Sequence, residues 1–211
     1  MFLSMPLIRK SSTSPIPLLS GKDDVLRALF EGNTEERWVA ARIAGGVTGG
    51  AKALGAALLL ERDARVREAI LTSLTRMASP DAVEAVLPLM RAEIAALRTG
   101  AIDALRAMKQ AAWPYLPQLL ADPDADVRLL ACEITRTLPG EEATTLLCGL
   151  IERESEANVC ASAIEVLAEL GTAEALPALE RCAARFQGER FLEFSIKVTG
   201  DRIRSQTAGL A

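Results

Sequence analysis

Histidine is absent from all 211 residues. That absence excludes a Ser-His-Asp or Cys-His nucleophile pair, a His-ligated zinc and a His-carboxylate di-iron site. Cysteine is sparse: Cys132, Cys148, Cys160 and Cys182 form no C-x-x-C pair, the usual mark of a closed zinc or iron–sulfur site. A secreted disulfide scaffold would be shorter and richer in cysteine, so the thiols read as reduced and the chain as cytoplasmic. No run of about 18 apolar residues is present, and no membrane span is expected. There is no excess of positive charge either. The net charge is −4 with both signs interspersed, which gives no basic stripe for nucleic acid. Apolar residues nowhere alternate at period two, so no sheet is expected, and aromatics make up only 4% of the chain. An Ala- and Leu-rich composition with so few rings suits closely packed helices.

What is present is one unit, repeated. Asp124 to Leu138, "DADVRLLACEITRTL", holds an acidic turn, then Val127-Arg128, then Leu129, Leu130, Cys132, Ile134 and Leu138. The spacings of three and four put most of these residues on one helical stripe. The unit recurs. Glu36-Arg37, Val66-Arg67, Leu97-Arg98 and Val159-Cys160 open similar segments, each 30 to 32 residues from the next. Each opening helix is followed by a turn and a second helix, and in those second helices Pro88, Pro117 and Pro177 sit where the helix must start or kink. One such hairpin has too little apolar surface to stand alone, so the hairpins must stack.

The predicted organisation is an all-α, right-handed solenoid of about five hairpins over residues 21–200. A flexible arm precedes it at 1–20 and a frayed tail follows at 201–211. "DDVLRALFE" (23–31) reads as an N-terminal capping helix, with Asp23 or Asp24 as its cap and Gly32 as its stop. "ERFLEFSIK" (189–197), with Phe191, Phe194 and Ile196, reads as the C-terminal cap on the last repeat, the alternative being a partner-binding aromatic patch. In the arm, Leu7, Ile8, Arg9 and Lys10 have the make-up of a docking peptide, although a loose leader is the simpler expectation. The glycines of "GGVTGG" (45–50) lack the following Gly-Lys-Ser/Thr of a phosphate cradle and read as a turn.

The pattern D-x-D-V-R-x-x-A, with a later helix opening Leu-Pro, resembles HEAT repeats. The period of about 30 is similar to the short bacterial kind named from phycobilisome lyases. The resemblance covers roughly Asp23 to Phe186 and implies a protein-binding solenoid with no cofactor. It also implies a ladder in which Arg37, Arg67, Arg98 and Arg128 bridge neighbouring repeats, with Cys160 as the missing rung. Second helices line the concave face in such proteins. That places Glu84, Arg91, Gln118, Glu142, Glu152, Glu174 and Arg181 on the candidate partner-binding face, with Arg91 and Trp113 as anchors. The expectation is a monomeric, non-enzymatic adaptor that holds another protein or peptide. The alternative is a lyase-like or carrier protein that assists chromophore or cofactor attachment. Cys132 shares the register of Leu71, Ile102 and Ile164 and is expected in the core, whereas Cys160, in register with arginines, is expected to be accessible.

Overall fold

A computed structural model describes Leu19 and residues 21–208. The arm at 1–18, with its candidate docking residues, therefore lies outside the described residues, as do 209–211. Every regular element among those described is helical. In order they are α1 (Lys22–Glu31), α2 (Thr34–Ile43), α3 (Gly50–Leu60), α4 (Ala64–Met77), α5 (Pro80–Val86), α6 (Ala95–Ala107), α7 (Lys109–Ala112), α8 (Leu116–Leu119), α9 (Ala125–Thr135), α10 (Gly140–Arg153), α11 (Ala157–Leu170), α12 (Leu176–Arg185) and α13 (Arg190–Ala208).

The opening helices α2, α4, α6, α9, α11 and α13 pack each against the next in one layer. The second helices form the other layer, in which α1 meets α3, α3 meets α5, α5 meets α7, and α10 meets α12. The core lies between the layers: Leu54, Ile70, Leu74, Val83, Leu105, Leu116, Ile134, Leu147, Ile164 and Leu179 are all buried. This is a solenoid, in which each hairpin buries its flanks against its neighbours.

Local chemistry sets the helix starts. Asn33 and Glu36 form a reciprocal capping box on α2, and the Asp63, Ser79 and Asp124 side chains accept backbone N–H groups at the starts of α4, α5 and α9. α6 has Ile94 in the cap position and no side-chain cap. Gly21, rather than Asp23 or Asp24, precedes α1, and both aspartates sit in its first turn, where their charge favours the helix N-terminus. Each proline acts as expected. Pro88 turns the end of α5 into a 3-10 segment, Leu87–Arg91, while Pro117 and Pro177 occupy the first turns of α8 and α12. Pro114 adds a further 3-10 break, so the third second-helix is split into α7 and α8. In the "GGVTGG" turn Gly49 has φ +81°, a conformation that favours glycine.

The C-terminal end differs from expectation in two ways. α13 continues through Ala208 rather than fraying after residue 200, because Ile203 is buried and Arg202 grips the end of α11. Its guanidinium donates to the carbonyls of Leu167 (2.8 Å), Gly171 (2.9 Å) and Glu169 (3.3 Å). The face of α13 that covers the last repeat carries Leu192, Ile196 and Ile203, and Phe191 and Phe194 point outward, 72% and 67% exposed.

Candidate functional site

Three features of the surface follow from the repeat register. The first is the arginine row on the opening helices. Arg67 donates to the carbonyls of Glu61 (3.2 Å) and Arg62 (3.0 Å), and Arg98 to those of Ala92 (2.6 Å) and Glu93 (3.0 Å). Arg37 reaches the Gly32 carbonyl (2.9 Å), and Arg128 those of Asp122 (2.8 Å) and Pro123 (3.1 Å). Each guanidinium thus ties its own helix to the turn before it.

Two of the four also carry a carboxylate. Arg37 pairs bidentately with Glu61 (2.7 and 3.1 Å), and Arg128 with Glu154 (2.6 and 2.9 Å). Each glutamate then accepts two backbone N–H groups of the next turn: Arg62 and Asp63 for Glu61, Ser155 and Glu156 for Glu154. The Arg37 guanidinium holds the Glu61 carboxyl below its ordinary value. Burial pushes the Glu154 carboxyl up, but the Arg128 guanidinium and the two N–H groups outweigh burial and hold it below its ordinary value. These glutamates have their own register. Glu61, Ala92, Asp122 and Glu154 stand six residues before Arg67, Arg98, Arg128 and Cys160. A carboxylate recurring at that offset was the available signal for them.

The second feature is the second-helix face. There Glu84 accepts from the Tyr115 hydroxyl (3.1 Å), Arg91 pairs with Asp122, and Arg181 pairs with Glu152. Every one of these contacts joins one repeat to the next. Gln118, Glu142 and Glu174 are exposed on the same layer. Trp113 is half-buried, and its indole N–H donates to the Thr137 hydroxyl (3.0 Å). The structure therefore gathers these residues into cross-repeat pairs with a few exposed positions between them.

The third feature is a groove of about 550 Å³ across the opening-helix layer, walled by α9 and α13 and floored by α11. Among the described residues, no group of three or more His, Cys, Asp or Glu side chains is placed to hold a metal ion, and no helix is long and apolar enough to cross a membrane.

A family model described as HEAT repeats matches residues 114–190. Residues 114–190 are therefore HEAT repeats, and the solenoid stacking continues on either side of them. No protein of curated function matches its sequence. Its fold is similar to that of an archaeal HEAT-like repeats protein from Thermococcus onnurineus NA1, at 15% identity and a TM-score of 0.50, covering 87% of each chain. It is also similar to Cex1p, at 10% identity and a TM-score of 0.52, over 82% of this chain and 40% of that one. At those identities the likeness shows the fold alone. The complex of CpcE and CpcF of phycocyanin lyase from Nostoc sp. PCC7120 aligns at 14% identity over 94% of this chain and 100% of that one, with a TM-score of 0.43, too low to carry an argument.

The repeat register places the cysteines differently from one expectation. Cys132 lies in the core as expected, and burial pushes its thiol up to about 12. Cys160 is not accessible; it is fully buried. A thiol is too short to reach the neighbouring turn as an arginine does, and α12 closes over it. Arg185, from that second helix, brings a guanidinium to the same end of α10 and donates to the carbonyls of Ile151 and Glu152 there. The Cys160 thiol is pushed up by its hydrogen bond to Cys182 and by burial. Cys148 is the one cysteine that is only half-buried. Trp38 is also half-buried, with the guanidiniums of Arg65 and Arg42 lying 4.2 and 4.5 Å from its ring centroid.

Proposed function

We propose that this HEAT-repeat chain is a non-enzymatic scaffold or adaptor that holds another protein or peptide along its second-helix layer. The observation that supports this reading is the row of cross-repeat contacts Glu84–Tyr115, Arg91–Asp122 and Glu152–Arg181. They tether side chains on successive repeats to one another and leave Gln118, Glu142 and Glu174 exposed between them. An extended, mixed-charge strip of this kind suits the flat surface of a protein or an extended peptide. A small substrate needs a closed concave pocket with convergent polar groups. Arg91 keeps 48% of its side chain exposed while bound to Asp122, so it can engage a partner carboxylate without first breaking free.

The test is affinity capture from native host extract with three baits: wild type, Arg91→Glu, and the double variant Gln118→Arg, Glu142→Lys. The expected result is one protein recovered at fixed stoichiometry by wild type and lost by at least one variant, with melting curves unchanged for the double variant. Equal recovery by all three baits places binding elsewhere. Turnover of a substrate by the purified chain, or a stable absorbance band after incubation with a bilin or haem, rejects the adaptor reading in favour of a lyase-like or carrier role.

A further inference from the structure

The groove over α11 is an apolar feature of the surface that the scaffold reading leaves unused. Ala161 and Ala168 lie on its floor, and Phe191, Phe194 and Val198 form the α13 wall. The two phenylalanines and Val198 follow one another at helical spacing and are all exposed. Charge at this site has one sign. Among the described residues, the only charged ones lining the groove are Glu133 and Glu165. Both, together with Glu169, share the single guanidinium of Arg136, at 2.9 Å from Glu133 and 3.3 Å from Glu165. Carboxylates outnumber the cation they share, which leaves an excess of negative charge at the groove's edge. Its occupant should therefore be apolar and carry basic residues.

The chain itself contains such a segment. Residues 2–10 hold Phe2, Leu3, Met5, Leu7 and Ile8 followed by Arg9 and Lys10, and no acidic residue occurs before Asp23. We propose that residues 2–10 of a second copy dock in this groove, with the apolar residues against Phe191, Phe194 and Val198 and with Arg9 and Lys10 against Glu133 and Glu165.

The reach of the chain favours a second copy over the same one. From Leu19 back to Ile8 the backbone spans at most about 40 Å when fully stretched. The α13 wall is five packed helices along the layer from α2, about 40–50 Å at ordinary interhelical distances. For Ile8 and its neighbour Leu7 to meet the α13 wall, the chain's own tail would be stretched to its limit with no slack to settle into the groove, a constraint that a second copy's tail does not have. Joining one copy's N-terminal end to the next copy's C-terminal end is a heterologous contact, which produces open chains or rings rather than a closed dimer.

The test uses the full-length chain. A fluorescent peptide of residues 2–12 is titrated with the chain carrying Ile8→Asp, which disables that chain's own tail. Saturable binding is expected. It should weaken about tenfold or more when Phe194→Ala is added to the chain, or when the peptide carries Arg9→Glu and Lys10→Glu. Added salt should weaken it further. In parallel, light scattering should show the mass of the wild-type chain rising with concentration, and Ile8→Asp or Phe194→Ala should abolish that rise. Because Phe194 is exposed, Phe194→Ala should keep the wild-type melting curve, and Phe191→Ser serves as a second groove variant. Absence of peptide binding, or binding indifferent to Phe194→Ala and Phe191→Ser, overturns the proposal. So does self-association that survives Ile8→Asp but not Phe194→Ala, since it assigns the groove to a second copy's α13. A wild-type chain that stays monomeric while only the Ile8→Asp chain binds peptide overturns it as well, by placing the tail in its own groove.

Discussion

Arg128 and Glu154 are 15% and 3% exposed, so their charges sit mostly out of water and depend on each other. Removing one partner of a buried pair costs more than the pair contributes, because the other charge is stranded. Arg128→Ala leaves the Glu154 carboxylate two backbone N–H bonds, so we expect a loss of about 2–3 kcal/mol, within the range for broken charged hydrogen bonds. For a chain of this size that corresponds to a melting temperature lower by roughly 5–10 °C. Arg98→Ala, whose guanidinium meets only carbonyls, should cost clearly less. Equal losses in the two variants would show that the carboxylate adds nothing.

The pH dependence has a definite sign. Glu154 and Glu61 both have folded values below the ordinary one. Their contribution is present in full above the unfolded carboxyl value of about 4.3 and fades as pH falls through the lowered folded values. The melting-temperature gap between wild type and Glu154→Gln should thus be wide at pH 7 and close below about pH 4. Among the thiols, limited alkylation under native conditions should label Cys148 first, as the half-buried cysteine, and mass spectrometry of the early products checks this. Early modification of Cys160 would contradict its burial. Cys132 was legible as a core residue because it shares a register with Leu71, Ile102 and Ile164. Cys160 was not, because register describes a position on its own helix and says nothing of what a neighbouring helix folds over it. Arg185 closes that site from α12, outside the repeat pattern of the opening helices.

For the helices themselves, the period and the prolines were enough to place the breaks in the second layer: Pro88, Pro117 and Pro177 each lie where an α-helix gives way or begins. The last helix was read too short. Its anchoring residue, Arg202, acts on carbonyls 31 to 35 residues away, and no local spacing marks such a contact. The outward turn of Phe191 and Phe194, expected only as the alternative to a buried cap, was set second for a related reason. Large apolar residues were assigned to the buried side, while Leu192 and Ile196 occupy it. Two glycines test how closely the elements pack. A Cβ on Gly55 of α3 would lie 2.8 Å from the Ala85 Cβ and 3.1 Å from its Cα and carbonyl oxygen, all of them fixed parts of α5. Gly55→Ala should cost about 1–3 kcal/mol through overpacking, against about 1 kcal/mol gained in helix propensity. A Cβ on Gly100 of α6 meets only the end of the Leu71 side chain, which can rotate away. Gly100→Ala should be neutral or stabilising by up to about 1 kcal/mol. Chemical denaturation of the two variants side by side measures the difference.

In the molecule as a whole, the paired glutamates are unevenly distributed. Glu61 locks the first full repeat to the second, and Glu154 locks the fourth to the fifth. Between them the register offers Ala92, which has no carboxylate, and Asp122, which is taken by Arg91 from the other layer. The same middle region holds the second-layer helix that Pro114 and Pro117 split into short pieces. In mechanical terms the stack is a leaf spring clamped at both ends and compliant at its centre. Bending and twisting should concentrate between α5 and α8, and amide hydrogens there should exchange faster than those of α10 and α11. A partner bound along the second layer would draw the two clamped halves together or force them apart, so the gap it must span adjusts to the ligand instead of being set in advance.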